Sequence, residues 1–203
     1  MATKRDNNIF LDRANTVILL VDHQVGLLSG VRDIKTSELK ANLVALVRCA
    51  KLLGVPIVAT NVAPEMWGPL LPEVSSEIQG QAVIDRTVVN AWDEPKVVDA
   101  IKKTGRKQLL VAGISLEVCA AFPALSAKAE GYDARVVVDA SGTFNVAKKQ
   151  TGLARLQMAE VQIVDYATAA VEMLHDNADP LAAQVYGSMN MDFATIVYQL
   201  KSL

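Results

Sequence analysis

Cysteine is scarce in this chain: only Cys49 and Cys119 occur among 203 residues, too few for the disulfide framework of a small secreted protein. The first ten residues, MATKRDNNIF, lack the apolar run of a secretion signal. Apolar runs such as TVILLV are too short to span a bilayer. These absences indicate a reducing compartment, so we expect a cytoplasmic protein with no membrane partner.

Histidine and clustered charge are scarce as well. Two histidines, His23 and His175, cannot supply a catalytic zinc or iron site, so we expect no metal. The segment DHQVGLLSG after the first apolar run is not a glycine-rich dinucleotide fingerprint, and the sequence has no phosphate-binding P-loop, so we expect no cofactor. The 20 basic and 22 acidic residues form no basic block, which argues against a nucleic-acid partner. A small-molecule substrate is the remaining expectation.

The chain does have a regular alternation of short apolar runs and amphipathic segments. Six runs are typical of buried parallel strands; they cover residues 16–22, 55–60, 81–86, 107–113, 134–140 and 161–166. Segments 36–53, 95–103, 118–130 and 147–159 are predicted helices. With 51% hydrophobic residues, the chain can build one sizeable core. The pattern predicts an α/β fold, a three-layer doubly wound sheet of about six mostly parallel strands.

Two segments depart from this alternation. Residues 61–80 contain enough proline and glycine to predict a long loop or a partly helical lid, and loops of that length are usually functional. Near the C-terminus, a predicted helix carries an apolar stripe of Phe193, Ile196, Val197, Leu200 and Leu203. We therefore predict a domain of residues 1–175. A helical extension, residues 176–203, would pack on the core or on a neighbouring subunit.

Reactive side chains stand where three of the predicted strands end. Asp22 ends the first strand, Arg86 ends the third, and Cys119 follows the fourth. Because ligands of an open α/β sheet bind beyond the carboxyl ends of its strands, we expect these residues to share one site. Cys119 also begins a predicted helix, whose free N–H groups and positive dipole end favour a thiolate and can hold an oxyanion.

Several of these residues also have an ordinary structural interpretation. A free cysteine is usually buried and inert, as we expect for Cys49 inside a predicted helix. Arg86 can be a surface ion-pair partner without a catalytic role. His23 is expected to be structural, because its side chain would point away from those of its two neighbours. Trp67 and Trp92 are candidate pocket walls, and ordinary packing explains them equally well.

Three motifs together give the chain a family resemblance. They are LLVDHQVG with its Asp-x-Gln pair, GISLEVC after the fourth strand, and VVVDASGTF after the fifth. With them the chain resembles the isochorismatase-like cysteine hydrolase superfamily from about residue 14 to residue 165. The combination of VDHQVGLLS, NAWD, EVCAAFPALSA and DASGTF looks closest to the YcaC-like branch, for which the resemblance fixes no substrate.

The resemblance implies a role for each member of the site. Asp22 would be the acid and base, and Cys119 the nucleophile. A cis peptide bond would join Ile114 to Ser115, and the amides of Ser115 and Cys119 would form an oxyanion hole. The superfamily usually has a lysine where this chain has Arg86. The chain also lacks the metal-binding residues of the nicotinamidase members, which argues against that activity.

These inferences lead to one main hypothesis and two alternatives. We expect a metal-independent, amidase-like hydrolase that cleaves a small amide or related C–N bond through a covalent thioester. Arg86 would act through its charge, because a guanidinium does not lose its proton. Candidate substrate contacts are Gln24, Trp67, Trp92 and Phe122. Gln24 could instead orient Asp22, and a purely structural hydrogen bond explains it equally well. The alternatives are a redox-active or non-catalytic thiol protein on the same fold, and an isochorismate-type vinyl-ether hydrolase. The C-terminal apolar stripe predicts a homo-oligomer, and the branch implies an octamer.

Overall fold

The computed structural model describes residues 9–200, and a six-stranded sheet lies at its centre. The strands are β1 (Thr16–Val21), β2 (Ile57–Val62), β3 (Ala82–Arg86), β4 (Gln108–Gly113), β5 (Asp133–Val137) and β6 (Gln162–Val164). Their order across the sheet is β3-β2-β1-β4-β5-β6, and every neighbouring pair is parallel. The strand order changes direction between β1 and β4, which is where ligands bind in open sheets of this kind.

Helices cover both faces of the sheet. They are α1 (Val25–Gly30), α2 (Thr36–Leu52), α3 (Pro64–Trp67), α4 (Pro72–Ser75), α5 (Pro95–Lys103), α6 (Ala121–Ala129), α7 (Val146–Met158), α8 (Tyr166–Leu174), α9 (Ala182–Ser188) and α10 (Asp192–Leu200). A short 3-10 turn, Ala91–Asp93, precedes α5, and a π-helical turn, Leu116–Ala120, precedes α6. Among residues 9–200, no helix has both the length and the apolar character needed to cross a bilayer.

The continuous apolar run of β1 follows from its position between two cores. Ile18 and Leu20 pack into the core shared with α2, α8 and α9. Val17, Leu19 and Val21 face the opposite core, shared with α5, α6 and α7. All five side chains are fully buried, as expected for a central strand with helices on both sides. The predicted three-layer, doubly wound α/β fold is confirmed.

Several local features differ from the sequence prediction. Segment 61–80 contains the short helices α3 and α4, so it is the partly helical alternative. Helix α8 was not predicted, although Asp165 caps it by accepting a 2.8 Å hydrogen bond from the amide of Thr168. Helix α1 was not predicted either, because its six residues include two glycines. The helix predicted to start at residue 118 begins as the π-helical turn at Leu116.

The C-terminal helices lie against the core on one side only. Val185 and Met189 are buried in the same core as α2. On α10 the side chains of Phe193, Ile196 and Leu200 are 66%, 53% and 64% exposed. Two members of the predicted stripe, Leu203 and the side chain of Val197, lie outside what the structure describes. A domain boundary near residue 175 stays a prediction.

Candidate active site

Asp22 sits immediately after the central strand β1, in an unusual backbone conformation. Its φ of +58° lies in the left-handed region, which aspartate tolerates better than most residues. Two backbone hydrogen bonds hold it there: its N–H donates to the Thr60 carbonyl at 3.1 Å, and its carbonyl accepts from Gln24 N–H at 2.7 Å. The carboxylate therefore projects from the end of the sheet at a fixed position.

The Asp22 carboxylate receives hydrogen bonds from three neighbouring elements. Thr60, on β2, donates from Oγ1 to Oδ1 at 2.7 Å. Arg86, at the end of β3, donates from Nη2 to Oδ2. The thiol of Cys119 also hydrogen-bonds the carboxyl group. The side chains of Asp22 and Arg86 are both inaccessible to solvent, so their ion pair is fully desolvated.

Arg86 is held by backbone as well as by Asp22. Its Nη1 donates to the carbonyl of Val88 and, at 3.0 Å, to that of Val89. Its Nε is buried and has no hydrogen-bond partner within the described part of the chain. The guanidinium thus spans Asp22 and two carbonyls, with a single nitrogen on the carboxylate. A bidentate grip on Asp22, which arginine can form in other proteins, is not the arrangement here.

The turn that carries Cys119 packs closely on the end of the sheet. The Ile114–Ser115 peptide bond is cis, and Leu116 N–H donates to the Gly142 carbonyl at 2.9 Å. A Cβ atom at Gly113 would lie 3.0 Å from the carbonyl oxygen of Val21. Glycine therefore lets the end of β4 approach β1 closely enough to bring Cys119 to Asp22.

The amides expected to form an oxyanion hole already have partners. Cys119 N–H donates to the Ser115 carbonyl at 2.7 Å, and the Ser115 backbone hydrogen-bonds the Cys119 thiol. Both N–H groups are therefore engaged in this structure, and the oxyanion hole stays a prediction. A substrate oxygen would have to share these N–H groups with, or take them from, their present acceptors.

Burial dominates the electrostatics of the pair formed by Asp22 and Cys119. It raises the pKa of the Asp22 carboxyl, against the lowering effects of Arg86, Thr60 and Cys119. Burial also raises the pKa of the Cys119 thiol. The charge of Asp22 raises it further, and Arg86 opposes both effects. Desolvation thus opposes the thiolate that the backbone N–H groups of the turn favour.

Gln24, a candidate substrate contact, makes its hydrogen bonds to backbone. Its side-chain amide nitrogen donates to the carbonyls of Val62 and Gly68, at 3.1 and 2.6 Å, and its oxygen accepts from Val62 N–H at 2.9 Å. The side chain is fully buried. Gln24 thus ties the end of β2 to the loop after α3, which is the structural alternative left open by the sequence.

The three aromatic candidates lie in different environments. Trp92 is buried: its Nε1 donates to Glu130 at 2.8 Å and its ring packs edge-on against Tyr132, so ordinary packing accounts for it. Trp67, at the end of α3, is 37% exposed. Phe122 is half-buried, with the Arg155 guanidinium 5.1 Å from its ring centre. Trp67 and Phe122 remain candidates for a pocket wall.

The other cysteine and the nearby histidine are structural. Cys49 is buried, its thiol lies 3.6 Å from the Val185 carbonyl, and burial raises its pKa to about 12. His23 is fully buried and donates from Nε2 to the Ala140 carbonyl at 2.9 Å. Burial lowers the His23 pKa to about 4, so the ring is neutral at physiological pH. Within residues 9–200, no three histidine, cysteine or acidic side chains are grouped closely enough to hold a metal ion.

The residue that sequence reasoning missed is Thr60. It ends the predicted strand VPIVAT, so it occupies the same kind of strand-end position that singled out Asp22 and Arg86. Threonine is common in strands, so its residue type and position do not by themselves indicate a contact with a carboxylate.

Comparison with known proteins adds independent information. Residues 16–168 match the family model of the isochorismatase domain. The chain is 45% identical over 168 residues to "Probable hydrolase YcaC" of Escherichia coli, covering 82% of this chain and 81% of that protein.

Two solved structures have nearly the same fold. One is the YcaC gene product of Escherichia coli, described as an octameric hydrolase of unknown specificity; it has a TM-score of 0.90 and 38% identity, and covers 97% of this chain and 98% of its own. The other, YcaC from Pseudomonas aeruginosa with hexane-2,5-diol and covalent acrylamide, has a TM-score of 0.90 and 36% identity, and covers 96% and 98%.

Proposed function

Because the chain belongs to the isochorismatase family of hydrolases, we propose that it cleaves a small amide or related C–N bond through a thioester on Cys119. The observation that carries this proposal is the contact of the Cys119 thiol with the Asp22 carboxylate, which Arg86 pairs from the other side. A nucleophile within hydrogen-bond reach of a base that is itself oriented by a third group is the arrangement that covalent catalysis requires.

In the acylation half of the reaction, Asp22 acts first as a base. It takes the thiol proton while the sulfur of Cys119 forms a bond to the substrate carbonyl carbon. Asp22 then gives this proton to the leaving nitrogen as the C–N bond breaks, and a thioester remains. Burial raises the pKa of Asp22, which makes it a better proton acceptor, and keeps Cys119 a thiol at rest. The raised pKa of Asp22 and the raised pKa of Cys119 both favour transfer of the thiol proton to Asp22 during the attack, over a Cys119 thiolate formed before the substrate binds.

In the second half, water cleaves the thioester. Asp22 takes a proton from the water while the water oxygen forms a bond to the acyl carbon. The carbon–sulfur bond then breaks, the acid leaves, and the Cys119 thiol recovers its proton from Asp22. Arg86 stays charged throughout and stabilises whichever of the two groups is an anion. The Ser115 and Cys119 amides would hold the oxyanion after exchanging their present acceptors.

The relatives lend this chemistry partial support. The Pseudomonas aeruginosa protein carries a covalent acrylamide, so a member of the branch has a group that reacts with a small amide-bearing electrophile. A redox sensor fits this chain less well, because oxidants attack thiolates and burial raises the Cys119 pKa.

We also propose that the protein is a homo-oligomer. The exposed apolar side chains of Phe193, Ile196 and Leu200 lie on one terminal helix, and a second copy of the chain would cover them. The Escherichia coli relative is octameric, and an octamer is the assembly we expect here.

A panel of small amides, followed by intact-mass spectrometry of the quenched protein, tests the reaction. We expect at least one amide to leave an acyl group on the protein, and Asp22→Asn to lose both the adduct and the turnover. Turnover of an amide by Asp22→Asn at the wild-type rate would contradict the proposed role of Asp22. Cleavage of a vinyl ether by Cys119→Ala, without any adduct on the wild-type protein, would favour the alternative chemistry of the family.

A further inference from the structure

We propose that Thr60 is a positioning residue, which holds Asp22 and determines which of its two oxygens exchanges the proton with Cys119. This inference rests on the proposed acid–base role of Asp22. The same threonine holds Asp22 twice: its carbonyl accepts from the Asp22 N–H at 3.1 Å, and its hydroxyl donates to Oδ1 at 2.7 Å. Both residues are fully buried, so no solvent competes for these bonds.

The position of Thr60 follows from strand pairing. In the parallel register of β1 and β2, Thr60 is the partner of Val21, the residue that precedes Asp22. Its hydroxyl therefore reaches the carboxylate from the β2 side. The Arg86 guanidinium reaches it from the next strand, β3, and bonds the other oxygen, Oδ2. The two oxygens thus have different partners.

The two partners also differ in what they can do when Asp22 is protonated. A guanidinium only donates, so it disfavours a proton on Oδ2. A threonine hydroxyl donates to a carboxylate and can rotate to accept from a carboxylic acid. Oδ1 is thus the oxygen that can take the Cys119 proton, because the Thr60 hydroxyl can then accept from it. A proton on Oδ2 would face the N–H of Arg86. Thr60 supports both protonation states through which the proposed reaction passes.

Loss of the hydroxyl has a direction that can be measured. Besides Thr60, the charged or titratable groups that face Asp22 are Arg86 from β3 and Cys119 from the π-helical turn. His23, next in the chain, is turned to the Ala140 carbonyl instead. Because the Thr60 hydrogen bond lowers the pKa of Asp22, its removal makes the carboxylate harder to form. For any reaction that requires ionised Asp22, the acid limb of the pH profile, where the rate rises as Asp22 loses its proton, then moves to higher pH.

The experiment measures the rate of Cys119 alkylation by iodoacetamide from acid to alkaline pH, with the site of modification read by mass spectrometry. Thr60→Val removes the hydroxyl at nearly constant volume, and Thr60→Ser restores it. Thr16→Val is the matched control, because Thr16 is an equally buried threonine at the other end of β1, where its hydroxyl donates to the Asp12 carbonyl at 2.8 Å. If Thr60→Val does not fold, Thr60→Ala takes its place.

We expect the acid limb of Thr60→Val to move up by about one pH unit, since hydrogen bonds to charged acceptors have roughly that effect. Thr60→Ser and Thr16→Val should keep the wild-type limb. Coincident profiles for Thr60→Val and wild type would overturn the inference, and so would a shift of equal size in Thr16→Val. Alkylation by iodoacetamide requires no substrate, so it tests Thr60 separately from the proposed reaction. A shifted acid limb in a protein that no amide acylates would support the positioning role of Thr60 and contradict the proposed amide cleavage.

Discussion

Replacement of Arg86 by alanine removes the buried cation of the site. The side chains of Arg86 and Asp22 are both inaccessible to solvent, so Arg86→Ala leaves a buried carboxylate without its counter-charge. Removal of one partner from a buried pair typically costs about 3–5 kcal/mol of folding free energy. Asp22 can reduce this cost by taking up a proton, because Arg86 is the main influence that lowers its pKa. The cost should therefore depend on pH.

The sign of that dependence follows from the raised pKa of Asp22. A carboxyl whose pKa is raised by folding contributes stability below its unfolded value, 3.8 here, and that stability is lost as pH rises through the folded pKa. Arg86→Ala raises the folded pKa further. The variant should thus lose free energy of unfolding more steeply than wild type as pH rises from about 4 to neutrality. Urea unfolding at several pH values measures this difference.

Alkylation of Cys119 tests the same variant at the site. Without Arg86 both the Asp22 carboxylate and the Cys119 thiolate are disfavoured, so the alkylation profile of Arg86→Ala should move to higher pH. Because Asp22 and Cys119 interact, this shift describes the two groups together and not Cys119 alone. Arg86→Lys keeps the charge but cannot reach Asp22 and the carbonyls of Val88 and Val89 together, so we expect an intermediate profile.

The control is Arg135→Ala, which removes another buried arginine, one paired with Asp133 and Glu172 at 2.9 and 3.0 Å. It should lower stability and leave the alkylation profile unchanged. If the profiles of Arg86→Ala and wild type coincide, Arg86 does not tune the thiol and the reasoning about this site is refuted.

Three further predictions concern other parts of the molecule. His23 is neutral and buried with its pKa lowered to about 4, so its stabilising effect is present above pH 6.5 and is lost as pH falls toward 4. His23→Gln should therefore remove part of the acid sensitivity in urea unfolding, by at most roughly 3 kcal/mol, and an unchanged pH dependence would contradict this. Activity on any amide that the panel identifies should survive EDTA, whereas loss in EDTA with recovery on added zinc would reveal a metal site. Light scattering at micromolar concentration should give a mass well above the 21.8 kDa of one chain, and Phe193→Asp with Ile196→Asp should lower it; a monomeric wild type would contradict the proposed assembly.

The architecture could be predicted from sequence because its signals are local. Each buried strand is a short apolar run, and the strand ends bring Asp22, Arg86 and Cys119 to one edge whatever the loops do. Helix α8 escaped prediction because its start overlaps the end of a predicted strand, and only the cap at Asp165 marks the boundary. Strand runs thus give the edge of the sheet, and for α8 a side-chain cap marks where the helix begins.

The electrostatics of the site could not be predicted in this way. The position of Cys119 near a helix start suggested a thiolate, but the effect of burial depends on how closely β4 and the π-helical turn pack on β1. The hydrogen bonds that Thr60 and Arg86 donate to Asp22 depend equally on tertiary packing. Local sequence contains none of these distances.

The central claim is that Cys119 is the nucleophile, and peptide mapping of the acylated protein tests it most directly. The wild type and Cys49→Ala should carry the acyl group on the peptide that contains Cys119, and Cys119→Ala should carry none. The reason is that Cys119 contacts Asp22, whereas Cys49 is buried in a helix against the Val185 carbonyl. An acyl group on Cys49, or turnover of the same amide by Cys119→Ala at the wild-type rate, would contradict the account.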